Sequence, residues 1–163
     1  MAFGRRAVLA LALALPAACS KFRTYEGPPV TSVVVRKGDR RLSLMSGETV
    51  LRDYRIALGA SPVGAKRFEG DMKTPEGAYV IDRRNPNSQY YLSVGISYPN
   101  EADRAYARAA GKDPGGDIFI HGTAGQNRGK GPDWTAGCIA VKDREIEEIY
   151  AMVPIGAPIY LYP

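Results

Sequence analysis

Polar and apolar positions change period several times along the chain, and the changes mark out its elements. Ser32 to Arg36 is a β-branched run followed by a Gly38-Asp39 turn signal. Leu42 and Leu44 then alternate with Ser43 and Met45 until Ser46-Gly47 turns the chain again. Val50, Arg52, Tyr54, Ile56 and Leu58 recur at period two and are expected to share one face of a third strand. These three segments predict an antiparallel meander. Gly59 to Thr74 sets Lys66, Arg67, Glu69, Asp71 and Lys73 among glycines and prolines, so it reads as a loop. Gly77 to Arg83 is the next strand, with Tyr79 and Ile81 on one face; Asn85-Pro86-Asn87 turns it and Tyr90 to Ser97 returns.

Helical periodicity appears twice. Pro99-Asn100-Glu101 offers a helix start, Ala102 to Ala110 is alanine-rich, and Gly111 closes it. Asp143 to Val153 is amphipathic: Ile146, Ile149 and Val153 fall on one face, with Asp143 and Glu145 near the positive end of the helix dipole. Between the two helices, Asp117 to Gly122 reads as a short buried strand ending at His121. Thr123 to Trp134 has no apolar period and contains Gly125, Gly129, Gly131 and Pro132, the composition of a surface loop. Thr135-Ala136-Gly137-Cys138 is a tight glycine turn into Ile139-Ala140-Val141, and Ala157 to Tyr162 supplies a last strand. The expectation is a mainly β domain, a sandwich or mixed sheet with two short helices.

The first residues follow a different logic. Arg5-Arg6 precede an apolar run, Ala7 to Leu15, that is too short to span a bilayer, and Pro16-Ala17-Ala18-Cys19 offers a small-residue cleavage site. Residues 1–19 therefore read as an export signal. Cleavage before Cys19 would give an acylated, membrane-anchored lipoprotein; ordinary cleavage near Ala18 would give a soluble periplasmic or envelope protein. Residues 20–30, polar and ending at Pro28-Pro29, read as a linker, and 31–162 as one catalytic-sized domain.

Composition narrows the partners. The formal charge is +5; without Arg5 and Arg6, 20 of the 22 basic residues stand against 17 acidic ones, a balance of +3. That suits an anionic wall or membrane surface and is too small for a nucleic-acid binder.

The chemistry concentrates in His121 to Cys138, which holds the sole histidine and the sole cysteine outside the leader. A thiolate is a strong nucleophile, and an imidazole within hydrogen-bond reach can generate it. A Cys19–Cys138 disulfide would tie the turn to a tail at the processing point, a poor place for a staple. One His and one Cys do not complete a tetrahedral zinc site, so no metal is expected. A papain-like peptidase shares the Cys-His logic but places its cysteine early and its histidine late, the reverse of the order here.

His121-Gly122 and Thr135-Ala136-Gly137-Cys138-Ile139, with His and Cys 17 positions apart, resemble the signature of the L,D-transpeptidase catalytic domain family. Lys73-Thr74-Pro75-Glu76-Gly77-Ala78-Tyr79 is a second match, and the similarity runs from about Thr31 to Leu161. Two positions depart from the common pattern: Ala136 stands where many members have a second histidine, and Ala140 where many have an arginine. The resemblance implies an L,D-transpeptidase-like fold and acyl transfer on peptidoglycan stem peptides. Cys138 would be the nucleophile and His121 the general base and acid. The Gly122 carbonyl would orient the imidazole, and the N–H groups of Gly137 and Cys138 would form the oxyanion hole. Trp134 and Thr135 would line the substrate groove. No cofactor is implied. Acceptors would be a stem-peptide amine, a wall-attached lipoprotein, or water, the last making the protein an L,D-carboxypeptidase or amidase. A non-catalytic wall-binding lipoprotein is the remaining alternative.

Overall fold

The computed structural model describes residues 20–127 and 130–163. The expected leader and Cys19 lie outside these residues.

Three strands form the meander: β1 (Ser32–Arg36), β2 (Arg41–Ser46) and β3 (Thr49–Arg55), paired antiparallel in sequence order. The alternation expected for β3 holds only in part. Tyr54, Ile56 and Leu58 are buried, but Val50 is 54% exposed and Arg52 is also at the surface. Val50 faces Met45 and Arg52 faces Leu44, so the register slips at Leu51. One bulged residue inverts the faces beyond it. Leu51 packs against the core in place of Val50.

The remaining strands are β4 (Gly77–Asn85), β5 (Ser93–Ile96), β6 (Phe119–His121), β7 (Ile139–Ala140) and β8 (Pro158–Tyr162). The sheet order is β3-β2-β1-β8-β4-β5-β6-β7, with β1–β8 and β6–β7 parallel and the other pairs antiparallel. The sheet curls until its two ends meet. Ala57, just past β3, exchanges two 2.9 Å hydrogen bonds with Ala140 of β7, and Thr135 N–H donates to the Leu58 carbonyl. The segment after β3 is thereby zipped along the cysteine turn.

Helix α1 (Glu101–Ala109) starts where expected. Asn100 accepts from the Asp103 N–H, and the Asp103 carboxylate accepts from the Asn100 N–H, both at 3.0 Å, a reciprocal cap of the first turn. Helix α2 (Asp143–Met152) buries Ile146, Ile149 and Met152 against the sheet. Neither helix is long and apolar enough to cross a membrane. Residues 20–30, read as a linker, are seated on the domain. Lys21 Nζ donates to the Pro86 carbonyl at 2.6 Å, Phe22 packs on Tyr150, and Arg23 pairs with Glu147 at 2.6 Å.

Candidate active site

Strand β6 explains how the histidine is aimed. Ile118 and Ile120 point into the core at 2% and 0% exposure, so the alternating residues Phe119 and His121 face the other side. Parallel pairing sets Ile120 beside Ile139 and His121 beside Ala140. Cys138, one residue before β7, therefore sits at the level of Phe119. The two potential reactants line one cavity of about 320 Å³, together with Asn85, Ser88, Tyr90 and Phe119.

The cysteine turn is braced from behind. Thr135 Oγ1 donates to the Cys138 carbonyl at 2.7 Å and accepts the Gly137 N–H at 3.1 Å. Gly137 has φ +132, and a Cβ there would lie 2.6 Å from the Lys73 carbonyl oxygen. Only glycine fits both the dihedral and the approach. The Lys73-Thr74 stretch thus acts as a backstop for the turn, and Thr74 Oγ1 accepts the Gly59 N–H at 3.1 Å. Cys138 is a free thiol. Its sulfur accepts the Phe119 N–H at 3.4 Å and donates to the Asp117 carbonyl at 3.4 Å.

His121 is 3% exposed. Its Nδ1 lies 2.6 Å from the Gly122 carbonyl oxygen. A carbonyl can only accept, so Nδ1 carries the proton and Nε2 remains the basic nitrogen. Tyr90 stacks on the ring at 4.4 Å between centroids and 30° between planes, while Trp134 meets it edge-on at 5.8 Å and 75°.

Burial sets the resting protonation. It lowers the His121 pKa below its ordinary value, against the Gly122 hydrogen bond, and raises that of Cys138, against the Phe119 N–H. Both groups rest neutral near pH 7, thiol beside imidazole.

The other expected site residues are distributed differently. Gly122 supplies the carbonyl that holds the imidazole. Thr135 is 5% exposed, spends its hydroxyl on the turn and is not among the residues lining the cavity of Cys138 and His121. The Gly137 N–H, expected in an oxyanion hole, is engaged by Thr135. Trp134 lies beside His121 but borders a separate cavity of about 140 Å³ with Arg55, Thr123 and Lys142. Tyr90 was not anticipated. In the sequence it is one of ten tyrosines, and only the pairing of Ser93 with His121 brings the β4–β5 connection to the imidazole.

This geometry has counterparts. A family model for the L,D-transpeptidase catalytic domain matches residues 31–161. The inferred L,D-transpeptidase YafK of Escherichia coli K12 is 34% identical over 143 residues, covering 84% of this chain and 52% of YafK. The chain thus spans about half the length of that curated relative. Among solved structures, the helical cell shape determining protein Pgp2 of Campylobacter jejuni superposes with a TM-score of 0.65 at 27% identity, over 84% of this chain and 49% of Pgp2. An L,D-transpeptidase from Mycobacterium smegmatis shares the fold at a TM-score of 0.56 and 15% identity, over 82% of this chain and 59% of that one. From the match over residues 31–161 and the identity to YafK, the chain belongs to the L,D-transpeptidase catalytic domain family.

Proposed function

We propose that the protein is a peptidoglycan L,D-transpeptidase that works through a Cys138 thioester. The carrying observation is the convergence of Cys138 and His121 on one cavity, with Nδ1 occupied by the Gly122 carbonyl and Nε2 left basic. In this reading Nε2 takes the thiol proton as Sγ attacks the carbonyl carbon of an L,D amide in a stem peptide. The tetrahedral oxyanion is met by the Cys138 backbone N–H, since Thr135 holds that of Gly137. His121 returns the proton to the leaving D-amino acid as the C–N bond breaks, leaving the thioester. An acceptor amine then attacks, gives its proton to His121, and the thiol re-forms.

The test is incubation with purified muropeptides, with and without an amine acceptor, followed by mass analysis. Cross-linked or exchanged products are expected from the wild type and none from Cys138→Ala or His121→Ala. Substantial turnover by Cys138→Ala would overturn the assignment. Hydrolysed products alone, whatever amine is supplied, would make the protein an L,D-carboxypeptidase or amidase using the same pair.

The wall substrate places the reaction in the cell envelope, in keeping with the export signal read in residues 1–19. Anchoring through an acylated Cys19 is part of this proposal. Absence of fatty-acid label on the expressed protein would remove that part alone.

A further inference from the structure

The two backbone groups that touch the sulfur belong to Phe119 and Asp117. The side chains of those same residues are held by a single arginine. Arg83 of β4 lays its guanidinium over the Phe119 ring, 4.5 Å from the centroid, and pairs with the Asp117 carboxylate at 3.3 Å. It reaches them by crossing β5 at Gly95: Arg83 pairs with Gly95, and Gly95 with Phe119. A Cβ on Gly95 would lie 2.4 Å from Arg83 Cγ and 2.9 Å from Nε, so the missing side chain is the track along which the arginine runs. Asp117 has φ +53, in the left-handed region, which aspartate enters more readily than most non-glycine residues but still at a cost.

We infer that Arg83 is a positioning residue for the nucleophile, clamping the Asp117–Phe119 segment so that its carbonyl and N–H hold Cys138 Sγ in place. This deepens the reading of Cys138 as nucleophile and rests on it. The guanidinium is not free to bind a substrate anion, because Asp82 at 2.9 Å and Asp117 already neutralise it. As an exposed ion pair it would add little to stability. Its effect lies in where it holds the chain. The charges that bear on the thiol are Asp117, which opposes the thiolate, and Lys66 and Arg83, which favour it; His121 shares its cavity as the neutral base.

The test is the pH dependence of Cys138 alkylation by iodoacetamide in the folded chain, read by peptide mass mapping, which needs no substrate. Arg83→Met should move the profile to higher pH and slow alkylation at pH 7 about three- to tenfold, the size of one weakened hydrogen bond from the Phe119 N–H to the sulfur. Melting temperature should change little. Gly95→Ala should act in the same direction, because the new methyl meets a flexible side chain that can swing aside. Arg83→Lys should restore part of the rate, having the charge without the planar stack. Profiles of Arg83→Met and Gly95→Ala that overlay the wild type would overturn the clamp. So would a shift in Arg83→Met with none in Gly95→Ala, or full rescue by lysine, since either leaves only a through-space charge. Failure on muropeptides by the wild type would sink the proposed function and leave this readout standing.

Discussion

Tyr90 and His121 stack with ring centroids 4.4 Å apart, and Trp134 meets the imidazole edge-on at 5.8 Å while lying 5.8 Å from Tyr90 as well. The base is therefore gripped by two aromatic rings and one carbonyl. These contacts hold the ring in place, as the proposed mechanism requires of the group that takes the thiol proton.

Tyr90→Ala should lower kcat with little change in KM or unfolding temperature, because Tyr90 is only half-buried. An aromatic pair is worth about 1 kcal/mol beyond its area, which corresponds to roughly a fivefold loss in rate. Tyr90→Phe should retain nearly full activity. Equal losses in the two variants would point to the hydroxyl and refute the stacking role.

The pKa directions predict limits for both activity and stability. His121 stays unprotonated below its ordinary value of 6.5, so the acid limb of kcat/KM should lie below 6.5. In the unfolded chain the histidine takes up its proton at 6.5, before the folded one does. The unfolded state then binds more protons, and stability falls as the pH drops through 6.5. Cys138 runs the other way. The folded state keeps its proton above the ordinary 9.0 while the unfolded thiol loses it, so stability falls again as the pH rises past 9.0. Thermal unfolding from pH 5 to 10 should show both losses. His121→Asn should flatten the acid side; Cys138→Ser should reduce the alkaline loss, and the part that remains near pH 10 comes from Tyr54, Tyr79 and Tyr98, whose pKa burial also raises.

Much of this was legible in the chain, and the failures have physical causes. Local signals carried the meander, the Asn100 start of α1, the apolar face of α2 and the strand ending at His121, because each depends on neighbours a few positions away. The signature around Cys138 was legible because its residues act within one turn. Val50 was misplaced because a bulge at Leu51 is invisible to a period-two count. Gly137 and Thr135 were assigned outward roles, yet they bond to each other, and the Lys73 carbonyl that demands this arrangement is 64 positions away in the chain. Tyr90 and Arg83 likewise act on residues more than 30 positions away, His121 and Asp117. Nothing in local pattern distinguishes them from ordinary strand and loop residues.

Asp143→Ala should loosen the segment that follows the histidine. The Oδ1 of Asp143 accepts from the Thr123 N–H at 2.6 Å, the Thr123 hydroxyl at 3.2 Å and the Ala124 N–H at 3.0 Å. Removing it strands these donors next to the Gly122 carbonyl that orients His121. A cost of about 1–2 kcal/mol is expected in urea unfolding, together with a larger fractional loss of kcat than Tyr90→Ala gives. Asp143→Asn keeps an acceptor oxygen and should recover about half of the stability. No stability difference between Asp143→Ala and the wild type would remove the carboxylate from this role.

Lys37 is 2% exposed, and its ammonium spends all three protons inside the fold. They go to the Gly64 carbonyl at 2.7 Å, the Thr74 carbonyl at 3.0 Å and Glu76 Oε1 at 2.7 Å. Burial lowers its pKa while Glu76 opposes the shift. One side chain thus ties the middle and the C-terminal end of the loop between β3 and β4 to the end of β1. Its Thr74 bond adjoins Lys73, whose carbonyl abuts Gly137. Lys37→Met fills the volume of the stem but leaves two carbonyls and a carboxylate without their donor. Breaking a buried pair costs about 3–5 kcal/mol. The lower figure is expected because the Glu76 side chain is 21% exposed and can recover water. Glu76→Gln keeps an acceptor and should cost about 1 kcal/mol. Activity measured where Lys37→Met is still folded should also fall, because the backstop of the cysteine turn has lost its tether. A Lys37→Met variant with an unchanged urea midpoint would show that the loop holds itself. Unchanged kcat in a destabilised variant would show that the Lys73 carbonyl keeps its place against Gly137 without the lysine.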